Sequence, residues 1–119
     1  MLNGIIVAMG GAVGAVLRYL IGLLPLNPQN GFPLKTFCIN VIGAFVIGLV
    51  AALSARASLN PRFTLFLKVG ICGGFTTFSS FALETETLLG KGNQTISLLY
   101  VVSSLVCGVL AVAVAESLV

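Results

Sequence analysis

The sequence predicts an all-α membrane protein of four transmembrane helices, with the third helix broken near residues 73–77. Three observations carry this. The first is composition: the 119 residues are 58% hydrophobic and 8% charged, with a mean hydropathy of +1.15. Soluble domains carry about 25% charged residues. Six Lys/Arg and three Glu cannot clothe a water-facing surface, so the solvent is lipid. The second is that the apolar residues gather in four runs, each near the roughly 20 residues that a bilayer crossing needs. The third is "GGFTTFSSF" at 73–81, whose two glycines and four hydroxyls oppose a continuous helix.

Taken in order, the first span covers about 3–24. It is apolar at once, without a basic leader or a cleavage site at the usual distance, and reads as a retained span. "PLNPQNGFP" (25–33) breaks it with three prolines and a glycine. The second span covers about 34–54, and "SARASLNP" (54–61) follows as a short polar loop. Asn60 is placed to cap the next helix, with Pro61 in its first turn. The third span covers about 62–89, "GKGN" (90–93) turns the chain with Asn93 as a second cap, and the fourth covers about 95–118. The chain reads as a single four-helix domain over 1–119, with no linker, low-complexity tract or internal repeat.

The loops are too short to fold alone, so function must lie between helices. Many small residues sit in the spans, and Gly10 and Gly14 have the four-residue spacing of close helix packing. Four thin helices rarely enclose a polar path, which points to an oligomer. The three cysteines, Cys38, Cys72 and Cys107, lie in apolar runs and read as small packing residues. There is no His and no Asp, which removes most metal-site and triad chemistry. The net charge of +3 is too small and scattered for nucleic acid.

Orientation normally follows the Lys/Arg excess of cytoplasmic loops. Arg56, Arg62 and Lys68 lie toward the side shared by the second loop and both termini. Lys35, Lys91 and Arg18 lie toward the other side, so the rule gives almost no preference. Either chance balances so few charges, or the protein inserts both ways and pairs antiparallel.

Polar residues inside spans are costly and usually face protein or water. Arg18 is either a snorkelling side chain or part of a packed or conducting interior. Asn40 offers two donors and an acceptor, for an interhelical bond or for a polar path. Tyr100 and Ser104 are four residues apart and share a helix face. Glu84 is the inward candidate of the Glu84/Glu86 pair, which otherwise reads as a solvated helix end.

A break at 73–81 frees backbone groups that lipid cannot satisfy, so they must be buried in protein or line a cavity. Freed carbonyls suit cations; freed amides and hydroxyls suit anions. Phe78 and Phe81 stack on one helix face, with Phe75 extending the row less exactingly. Phenyl edges are electropositive. Such edges beside the hydroxyls of Thr76, Thr77, Ser79 and Ser80 suit a small, hard anion without holding it too long. These residues point to a small-ion pathway, or else to a kinked packing helix.

The same run resembles the signature of the Fluc fluoride channels, also called CrcB. Supporting similarity lies in "GGAVGAVLRY" (10–19), "TFCINVIGAFVIG" (36–48) and "KVGICGGFTTFSSFALE" (68–84). The resemblance implies an antiparallel, dual-topology homodimer in the bacterial inner (plasma) membrane. It implies a passive exporter of cytoplasmic fluoride that lowers fluoride toxicity, and no enzyme. By position, Phe78 and Phe81 match the family's pore phenylalanines, Asn40 its pore asparagine, and Tyr100 and Ser104 its polar track. Thr77, Ser79 and Ser80 fall within the same pore segment. Gly73 and Thr76 match the positions whose carbonyls hold a structural Na⁺ on the two-fold axis. Arg18 and Glu84 match its intramembrane charges. Gly108 departs from relatives that extend the track with a serine. The rival reading is a small dual-topology, proton-coupled multidrug exporter. Such exporters carry a carboxylate in the first span, and this span has none.

Overall fold

The computed structural model describes residues 1–119, and every regular element in it is helical. Helix α1 runs Leu2–Gly22 and α2 runs Leu34–Ala57. The third span, Pro61–Gly90, is composite. It consists of α3 (Pro61–Leu65), a π-helical segment (Phe66–Cys72), α4 (Gly73–Phe75) and α5 (Phe78–Gly90). Helix α6 runs Gln94–Ser117. Four stretches are long and apolar enough to cross a membrane. The molecule measures 48 × 30 × 21 Å, and its long axis matches a bilayer with headgroups, about 40–45 Å thick.

The helices pack in two pairs. Helix α1 lies along the first half of the third span, and α2 lies along α6. Glycines set both contacts. A Cβ on Gly10 would fall 2.6 Å from the Phe66 carbonyl oxygen, and one on Gly74 would fall 2.5 Å from that of Gly11. In the other pair, a Cβ on Gly48 would lie 2.9 Å from the Val112 carbonyl oxygen and 3.0 Å from the Ala115 Cβ. The Gly10–Gly14 spacing is therefore spent inside the protomer, against Gly70 and Gly74. Without a hydrophobic drive between helices in lipid, such close approach supplies the packing energy.

Three local readings resolve differently from one another. The Asn60 cap forms as its sequence indicates: Arg62 N–H donates to Asn60 Oδ1 at 2.9 Å. Asn93 stands at the start of α6 but its side chain does not cap. Its Nδ2 donates instead to the Asn30 carbonyl at 3.2 Å, tying the third loop to the first. The interruption lies within 73–77, but at Thr76–Thr77, where the chain becomes extended (Thr76 ψ 157°, Thr77 φ −149°). Gly73 and Gly74 are themselves helical. Gly74 serves approach to α1 rather than breaking the helix.

Candidate functional site: the helix break and its pockets

The break redistributes hydrogen bonds that a continuous helix would make internally. Thr76 ends α4 by donating both its N–H (3.0 Å) and its hydroxyl (2.8 Å) to the Cys72 carbonyl. The Thr77 N–H, which would otherwise go to Gly73, donates to Asn40 Oδ1 at 2.8 Å. Asn40 Nδ2 returns a bond to the Thr77 carbonyl at 3.1 Å. One amide thus serves both backbone groups of the extended residue. Arg18 Nε donates to the Gly74 carbonyl at 3.3 Å, replacing the lost Phe78 N–H. Thr77 Oγ1 then caps α5 by accepting from Ser80 N–H at 3.1 Å. The first turn of a helix leaves N–H groups unpaired, and those of Phe78 and Ser79 find no backbone acceptor.

A pocket of about 280 Å³ opens beside this break, lined by Asn40, Thr76, Thr77, Phe78, Phe81 and Ser104. The Phe78 and Phe81 rings are 5.9 Å apart and tilted by 49°. Ser104 is in its wall, and the Ser104 Oγ is buried with no hydrogen-bond partner. Asn40 has one amide hydrogen beyond that given to Thr77. Phe78 is 78% exposed in the single chain. Phe75 does not extend the row. It is buried before the break, beside Gly43, and lines a separate apolar cavity of about 160 Å³. Helical spacing does not carry across two extended residues.

Tyr100 is fully buried, with its ring 5.1 Å from that of Phe81. It is not part of the pocket wall, and its hydroxyl donates to Glu84 Oε1 at 3.1 Å. Thr36 Oγ1 donates to Glu84 Oε2 at 2.9 Å. Glu84 therefore lies inward, while Glu86 is exposed. A second pocket of about 460 Å³ includes Arg18, Lys35, Thr36, Thr77, Ser80 and Glu84 in its wall. A third, about 500 Å³, includes Asn27, Asn30, Glu84, Lys91 and Asn93. Thr77 borders the first two and Glu84 the last two, so neighbouring pockets share a wall residue. Ser79 is exposed, 3.3 Å from Thr77 Oγ1. Gly73 is also exposed, with an open surface around it.

Two residues at this site were not among those the sequence singled out. Thr36 stands four residues before Asn40 on the same face of α2, a spacing that could have found it. Lys35 reads from sequence only as a loop charge.

Four apolar spans, one of them broken beside open pockets that carry polar and charged side chains, define a small multi-pass membrane protein. The chain belongs to the CrcB family: the family described as "CrcB-like protein, Camphor Resistance (CrcB)" matches residues 5–115. It is 44% identical over 116 residues to the Fluoride-specific ion channel FluC of Agrobacterium fabrum, covering 94% of this chain and 91% of that one. To the FluC of Thermus thermophilus it is 46% identical over 105 residues, covering 87% and 84%. To that of Shewanella pealeana it is 46% identical over 91 residues, covering 76% and 73%.

Proposed function

We propose that this chain is a fluoride-selective ion channel of the bacterial inner membrane, passively exporting cytoplasmic fluoride and so lowering its toxicity. One observation carries the reading. An unpartnered Ser104 hydroxyl and the spare amide hydrogen of Asn40 share a pocket with the Phe78 and Phe81 rings. Fluoride holds water tightly, so a pathway must replace its hydration closely. Ser104, Asn40 and the Thr77 hydroxyl donate from one side. The ring edges of Phe78 and Phe81 supply weak positive charge from the other, at low desolvation cost. Ser80, Glu84 and Arg18 continue the polar lining toward the first loop, and the buried Tyr100 holds Glu84 through its hydroxyl. Nothing in α1 offers the carboxylate that proton coupling would use.

The functional unit in this reading is an antiparallel homodimer. Phe78, Ser79 and Gly73 are exposed beside a break in the middle of a span. Lipid cannot satisfy broken backbone at that depth, so protein must cover it. A second copy in the opposite orientation supplies the cover. It also brings together the Gly73 carbonyl, which has lost its Thr77 donor, and the Thr76 carbonyl at the extended turn. Two such pairs of backbone oxygens, without a carboxylate, suit a structural Na⁺ better than Ca²⁺, which takes about six to eight oxygens.

The test is efflux from liposomes holding purified protein. Fluoride should leave rapidly and chloride should not. When N-methylglucamine replaces sodium, the dimers should lose stability. Equal passage of both anions would sink the fluoride reading, and dimers indifferent to sodium would remove the ion.

A further inference from the structure

We propose that Lys35 is an anion-collecting residue: it gives the pocket before the helix break its net positive charge and so sets how much fluoride reaches the path. This rests on the channel reading above. Three charged side chains line that pocket: Arg18, Lys35 and Glu84. Arg18 and Glu84 cancel formally, so Lys35 alone tips the wall toward anions. The ammonium is fixed in place. Lys35 Nζ donates to the Gly22 carbonyl at 2.9 Å, and Gly22 lines the same pocket. The Lys35 N–H is held in turn by Asn27 Oδ1 at 3.0 Å. The bond to Gly22 places a cation at the carbonyl end of α1, where the helix dipole favours it. The pocket borders Thr77, and through it the Phe78–Phe81 pocket.

A pocket with low-dielectric walls focuses the field of one charge and raises the local concentration of counter-ions. At a separation of about 7 Å in water, one unit charge changes that concentration about threefold. The field acts on charge and not on ion identity. Lys35 should therefore scale fluoride and chloride alike and leave their ratio untouched, unlike a residue of the selective path. Salt should erase the effect, because the screening length falls from about 30 Å at 0.01 M to about 3 Å at 1 M.

The experiment is fluoride current per conducting channel in reconstituted bilayers, for the parent, Lys35→Gln, Lys35→Arg and Lys35→Glu. Ionic strength is varied with an impermeant salt. Per-channel current is the right readout because Lys35 also counts in the charge balance that sets insertion, which alters channel number only. At low ionic strength Lys35→Gln should carry about threefold less than the parent, Lys35→Glu less still, and Lys35→Arg the same as the parent. The differences should vanish near 1 M salt, with the fluoride-to-chloride ratio constant. A Lys35→Gln channel equal to the parent at low salt overturns the proposal. So does a deficit that persists at high salt, which would assign Lys35 to holding the end of α1. A parent that passes no fluoride overturns the channel reading as well, whereas either Lys35→Gln result leaves that reading standing.

Discussion

Ser104 carries a hydroxyl where a methyl group would be less costly. Its Oγ is buried and unpartnered, and a buried donor without a bond costs about 1–3 kcal/mol. Serines in membrane helices usually escape this by bonding back to their own helix, as Ser103 does to the Leu99 carbonyl at 2.6 Å. Ser104 does not, although it has the same option. A polar atom kept unpaired in the wall of a pocket is explained if a passing ion is its partner. Stability and flux should then respond in opposite directions to Ser104→Ala. The protein should unfold at the same temperature or higher in detergent. Fluoride flux should fall at least tenfold, since a hydrogen bond to a charged group is worth about 1.5–3 kcal/mol. Lower stability with unchanged flux would return Ser104 to ordinary packing.

Among the elements, the composite third span depends most on residues distant in sequence. Its interruption is held open by Asn40, 37 positions away from Thr77 along the chain. Asn40→Ala would strand both backbone groups of Thr77 inside the membrane, at about 1–3 kcal/mol each. The protein should lose about 2–6 kcal/mol of stability, and flux should go with it; an unfolding temperature unchanged by the substitution would show that water or lipid headgroups serve Thr77 instead. This dependence explains what the sequence reveals and what it withholds. Hydropathy is a sum over neighbours, so the four spans are legible, as is the Asn60 cap, which needs only the next two residues. The position of the break is less so, because the glycines look like the breakers while the amide from α2 fixes the site. Gly74 is small because the α1 backbone lies against it. Counting along one helix groups Phe75 with Phe78, and the chain is not one helix there. Nothing in "FLKVGIC" announces the π-helical segment. Asn40 and Ser104 stand out because a polar side chain is out of place in lipid, and Phe78 and Phe81 because they lie three apart in a run of hydroxyls; the fold brings all four to one pocket. Tyr100 was legible as polar, but its burial against Glu84 depends on how α5 meets α6.

For the whole molecule, the charge count has a spatial counterpart. Arg18 and Lys35 share a pocket with Gly22 at the first-loop end, and Lys91 borders the next pocket with Asn27 and Asn30. At the opposite end Arg56 donates to the Val119 carbonyl, and Arg62 opens α3. Cations are thus divided between the two ends, and insertion has little reason to prefer one direction. If both orientations are needed, a chain forced into either one should fail alone and recover in company. Ala55→Lys with Ala57→Lys adds charge at exposed positions near the second loop and should make that end cytoplasmic. Gln29→Lys with Gln94→Lys adds it at exposed positions of the other end and should do the reverse. Each double variant, expressed alone, should report a single orientation from a C-terminal fusion and confer no fluoride efflux. Co-expressed, they should assemble one copy of each and restore efflux to near the parent level. The recovery separates lost topology from damage to the fold, because a misfolded chain gains nothing from an oppositely oriented partner. A variant that inserts in one orientation and still conducts alone would exclude the antiparallel dimer, and the break would then need cover from a parallel copy.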